Sequence, residues 1–101
     1  MVKDGKTVYL AGQVARDRDG KTVGVGDAAA QAEQVFRNIE AALESVGSDL
    51  GHILKMTTFM THREDFPAYR AARSKFLADD DALPASTLIL CSGLADPDFR
   101  I

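Results

Sequence analysis

What this sequence has little of narrows it before any motif is read. It holds one cysteine, Cys91, set in the apolar run Leu88-Ile89-Leu90-Cys91. A lone thiol forms no internal disulfide, so nothing argues for a secreted, disulfide-framed domain. Inside such a run, Cys91 reads as a small buried hydrophobe before it reads as a nucleophile. Histidine occurs only at His52 and His62, with no second ligand pair nearby, which argues against a zinc site. The longest apolar runs fall far short of the ~20 residues of a membrane span. There is no excess of basic charge: 12 Lys and Arg stand against 15 Asp and Glu, for a net charge of −3. That balance gives no general support for nucleic acid as a partner, although a local basic patch is compatible with it. No signal peptide is visible, since Lys3, Asp4, Gly5 and Lys6 follow the first residues directly. A cytoplasmic location is the default expectation.

What is present reads as one domain over residues 1–101, with both ends cut close to strand signals. Thr7-Val8-Tyr9-Leu10, continuing to Val14, predicts a first strand, and Asp19-Gly20 a tight turn after it. Gly24-Val25-Gly26-Asp27 opens a helix, with the Asp27 carboxylate as N-cap. Ala32, Val35, Phe36, Ile39, Ala42, Leu43 and Val46 then fall on one helical face, and Gly47 stops the helix. Residues 53–61 predict a strand, and residues 64–78 a second helix with Pro67 in its first turn. An acidic tip follows at 79–81. Residues 86–92 predict another strand, and Phe99 opens the last. The order β-β-α-β-α-β makes an α+β fold with two helices packed on one face of a mixed sheet. Leu88 and Leu90 lie on one face of the strand at 86–92, with Thr87, Ile89 and Cys91 on the other. Two helices cover one sheet face only, so the second apolar face is expected to pack on another subunit or under further terminal residues.

Chemistry-bearing motifs are sparse. Gly24-x-Gly26 before a helix lacks the third glycine of a dinucleotide fingerprint, since Ala29 and Ala30 stand where it would fall. Turn and cap are the better reading. No Ser-His-Asp or Cys-His spacing is recognisable. The acids at 17, 19, 64, 65 and 79–81 sit in turns or on helix faces and read as solvated. Lys55 stands out, because lysine is disfavoured within a strand. It reads as a snorkelling or salt-bridged side chain, with a functional amine as the alternative.

Several stretches taken in order resemble the RidA (YjgF) family. They are YLAGQV at 9–14, VGVGDAAAQAEQVFRNIEAALESVGSDLGHILKMTTFMT at 23–61, DFPAYRAARSKF at 65–76, LPAST at 83–87 and GLADPDF at 93–99. No one motif is distinctive, but their order and spacing are. The resemblance implies a chorismate-mutase-like fold and a homotrimer with a cleft at each subunit interface. It also implies cofactor-free hydrolysis of reactive imines or enamines to ammonia and a carbonyl product. In the deaminating branch an arginine follows the Pro-Ala pair and grips the substrate carboxylate, and a glutamate in the last strand positions the water. Here the arginine position is Ser86, so the resemblance implies an altered substrate, and the glutamate would fall beyond Ile101. The implied substrate-binding positions are Ala11, Gly12, Ser86 and Leu88. Arg70, where many relatives carry asparagine, is a candidate replacement cation; the alternative is an exposed helix arginine paired with an acid. A non-catalytic trimer, binding a small ligand or acting as a holdase, is the competing reading, and RNA cleavage the weakest one.

Overall fold

A computed structural model describes residues 6–77 and 83–101. The acidic tip at 79–81 lies outside the described residues, as does residue 78, the expected end of the second helix. Helix α1 spans Ala28–Glu44, strand β1 Lys55–Met60, helix α2 Phe66–Phe76 and strand β2 Ala85–Leu90. Short 3-10 turns at Leu50–His52 and Arg63–Asp65 lead into β1 and α2. The predicted start of α2 at residue 64 is therefore a tighter turn, and the α-helix begins next to Pro67, which has no N–H to leave unpaired there.

The ends of α1 follow from its sequence. The Asp27 carboxylate accepts a hydrogen bond from Ala30 N at 3.1 Å, satisfying one of the free amides of the first turn. At the other end Gly47 takes φ +75°. Gly47 N donates to Glu44 O and Ser48 N to Leu43 O, the two bonds of a Schellman motif. Gly24, before the helix, also sits at positive φ, and a Cβ there would lie 2.7 Å from the Ala30 Cβ. Glycine is required at this close turn.

The core lies between the helices and the inner face of the sheet. Phe36 of α1 is its centre, stacked against Tyr69 and Phe76 of α2 at ring-centroid distances of 6.2 and 5.5 Å. Met60, Ala32, Ala72 and Leu77 close around it, with Met56 and Leu88 packed partly against the same cluster. Val46, assigned to the apolar stripe by periodicity, falls past the helix and is exposed.

β1 and β2 pair in parallel, Lys55 opposite Ala85 through Met60 opposite Leu90. Register partners share a face, so Met56, Thr58, Met60, Ser86, Leu88 and Leu90 form the helix side. Lys55, Thr57, Phe59, Ala85, Thr87 and Ile89 form the outer side. Residues 7–14 and 99–101, expected as strands, join no ladder among the described residues; Arg16 and Thr22 form an isolated antiparallel bridge across the turn at 17–20. Extended, β-branched sequence supplies conformation, but a strand also needs a neighbour for its backbone groups. The result is an α+β fold of two helices on a sheet. No helix among the described residues is long and apolar enough to cross a membrane.

Candidate functional site: the β2 entrance and its surroundings

β2 starts where Ala85 N donates to Leu54 O at 3.0 Å, just after the buried Pro84. Ser86 is the second residue of the strand, opposite Met56. It is exposed and makes no side-chain hydrogen bond to another described residue. Leu88, two residues on, is half-buried against the core opposite Thr58. The Thr58 hydroxyl is held in turn by the Tyr69 hydroxyl at 2.9 Å, so the middle of the sheet is rigidly tied to α2. The strand entrance thus offers a small neutral hydroxyl on an ordered apolar base.

The remaining sequence-predicted positions lie apart from it within one chain. Arg70 is exposed on α2 with its guanidinium over the Phe66 ring, 5.7 Å from the centroid. It pairs with no acid among the described residues. Ala11 and Gly12 are exposed on the wall of a cavity of about 1080 Å³ bounded by residues 6–14, α1 and β1. Neither Ser86, Leu88 nor Arg70 lines that cavity. Lys55 does not snorkel into the core and pairs with no acid among the described residues; its ammonium donates to the Thr87 hydroxyl across the outer sheet face. Cys91 is half-buried, and its thiol lies 3.6 Å from Gly93 O.

Sequence reasoning passed over a polar hub on the helix side. Gln31 is fully buried; its Nε2 donates to Gly24 O at 3.0 Å and Asp98 O at 2.8 Å, and its Oε1 accepts from Arg100 N at 2.8 Å. Arg100 forks onto Asp65, Nε to Oδ2 at 2.6 Å and Nη2 to Oδ1 at 3.1 Å. These bonds fasten the turn at 96–101 to the start of both helices. The available signal was a glutamine between Ala28 and Ala32 on the buried stripe, where a polar residue requires a partner. Elsewhere Lys75 bonds Glu33 at 2.8 Å and, through that hydrogen bond and its charge, holds the Glu33 carboxyl below its usual range.

The family model described as endoribonuclease L-PSP matches residues 1–101. The chain belongs to the RidA/YjgF/L-PSP family. It is 32% identical over 93 residues to protein DfrA of Myxococcus xanthus, covering 92% of this chain and 70% of that one. It is 31% identical over 75 residues to the 2-iminobutanoate/2-iminopropanoate deaminase of Dermatophagoides farinae, covering 74% and 59%. Among solved structures, the YjgF gene product of E. coli matches with a TM-score of 0.79 at 29% identity, over 90% of this chain and 70% of that one. The chain therefore spans between 59% and 70% of the length of these relatives.

Proposed function

We propose that this RidA-family chain forms homotrimers whose inter-subunit clefts hydrolyse a reactive imine or enamine, releasing ammonia and a carbonyl product without a cofactor. The observation that carries the reading is kinship with a named imine deaminase combined with Ser86 at the strand entrance. An imine carbon is already electrophilic. Water adds to the C=N bond, the nitrogen takes up protons, and the tetrahedral adduct collapses to a carbonyl with loss of ammonia. The protein has to hold the substrate and orient one water. Two sheet features support an inter-subunit cleft: the outer face leaves Phe59 47% and Ile89 41% exposed, and Ala11 and Gly12 lie apart from Ser86 within one chain.

Ser86 determines what the cleft prefers. A guanidinium grips a carboxylate through two charge-assisted hydrogen bonds, each worth about 1.5–3 kcal/mol, and a serine hydroxyl supplies neither the charge nor the fork. The substrate is then an imine or enamine without the carboxylate of a 2-imino acid, or one whose carboxylate is held by another cation such as Arg70.

The test generates 2-iminopropionate in situ with an amino-acid oxidase and follows its decay with the full-length natural protein and with Ser86→Arg. The expected result is little acceleration by the natural protein and a gain of about tenfold or more in the variant. Rapid decay with the natural protein would place carboxylate binding elsewhere, with Arg70→Ala as the follow-up. No acceleration by either protein would overturn hydrolysis in favour of a non-catalytic trimer.

A further inference from the structure

A second cavity, a groove of about 600 Å³, lies where residues 12–18 meet α1. Three arginines line it, Arg16 and Arg18 from the turn and Arg37 from the helix. The wall that carries them is ordered. Asn38 Nδ2 donates to Val14 O and to Arg16 O, both at 2.9 Å, and Gln34 Nε2 donates to Asn38 Oδ1 at 2.8 Å. This clamp fixes the turn against α1, and with it the backbones of Arg16 and Arg18 against that of Arg37. The acid in the lining, Asp17, is engaged by its own turn: its Oδ1 accepts from Asp19 N at 2.9 Å and from Lys21 N at 3.0 Å. The guanidinium donors, by contrast, are left over. Asp96 stands 3.7 Å from Arg16 and Glu33 3.8 Å from Arg37, ion-pair distances too long for hydrogen bonds. Glu33 accepts instead from Lys75, at 2.8 Å. Arg18 pairs with no acid among the described residues. In a chain of net charge −3, three arginines around one groove form a local positive site.

We propose that this groove binds a compact polyanion with two phosphate groups, a diphosphate or bisphosphorylated metabolite. A guanidinium forks onto phosphate oxygens through charge-assisted hydrogen bonds, and these three have donors to give. One phosphate carries a charge of about −1.5 to −2 near neutral pH, so three cations are matched by two phosphates better than by one. The groove falls within the roughly 300–1,000 Å³ of small-molecule sites. No aromatic side chain lines it among the described residues, so it offers no platform on which the bases of a single-stranded nucleic acid could stack. Ser86, Leu88 and Arg70 all lie outside it. The site is therefore separate from the proposed hydrolysis and holds or fails without it.

The test titrates inorganic pyrophosphate into the full-length natural protein by calorimetry, beside Arg18→Ala, Arg37→Ala and Arg63→Ala. The last removes the same charge from an exposed site outside the groove. Arg16 is left intact, because its guanidinium also lies over the Phe99 ring, 5.2 Å from the centroid. Saturable binding is expected, weakened about tenfold by each of Arg18→Ala and Arg37→Ala and unchanged by Arg63→Ala. Orthophosphate should bind more weakly than pyrophosphate. No saturable binding of pyrophosphate overturns the proposal, as does binding that survives both groove substitutions. Equal weakening by Arg63→Ala overturns it in favour of diffuse surface charge, and orthophosphate binding as tightly as pyrophosphate overturns the assignment of two phosphates. A short single-stranded oligonucleotide that binds more tightly than pyrophosphate and depends on the same arginines also overturns it, by making nucleic acid the ligand.

Discussion

The helix side of the sheet and its outer, open side are built by opposite rules. On the helix side buried polar groups are tied together: Gln31 makes three bonds, Arg100 forks onto Asp65, and Thr58 meets Tyr69, while Arg73 Nε of α2 is buried without a partner among the described residues. On the open side Phe59 and Ile89 face water, and the edge of β1 away from β2 joins no further strand among the described residues. Buried polar groups without partners cost about 1–3 kcal/mol each, so a side complete within the chain must satisfy them internally. A side that leaves apolar area and strand edges bare is shaped for something brought to it. Packing within the chain is thus concentrated on one side, and the other is the side proposed above for association.

Substitutions can break that contrast. The largest effect is expected at Phe36→Ala, which removes the ring between Tyr69 and Phe76 and should cost about 3–5 kcal/mol, read from urea unfolding. Gln31→Leu keeps the bulk but strands Gly24 O, Asp98 O and Arg100 N; a loss of about 3 kcal/mol is expected, with amide exchange at Arg100 speeding up. Stability unchanged in this variant would show that the polar hub is dispensable and remove the contrast.

Phe59→Ala sharpens it from the other side. The stability of the isolated chain should move by no more than about 0.5 kcal/mol, while the homotrimer proposed above is expected to dissociate, a change that light scattering would read. A large stability loss with oligomerisation intact would reverse the roles assigned to the two faces. The smallest effect is expected at Glu33→Gln. The Glu33 carboxyl titrates below its usual 4.5 because Lys75 bonds and attracts it, so its contribution is present above that value and fades as pH falls through the lowered one. The pair is solvent-exposed, so added salt should erase the difference between variant and parent in thermal melts.

Local physics was legible in the chain. Asp27 and Gly47 bounded α1 through cap chemistry, the stripe from Ala32 to Leu43 set its buried face, and Pro67 marked the start of α2. The order of the quoted motifs carried the family. These features depend on residues within a few positions of one another. The pairing of β1 with β2 was decided by tertiary structure, because a register between residues thirty apart depends on which main-chain groups find each other. Tertiary structure also joined Gln31 to Asp98 and Arg100, set Lys55 beside Thr87, and left Arg70 over Phe66. The strand propensity of residues 7–14 was readable, but whether they form a strand was not. Propensity belongs to a residue, whereas a strand belongs to a pair, and the partner's position is a property of the whole fold.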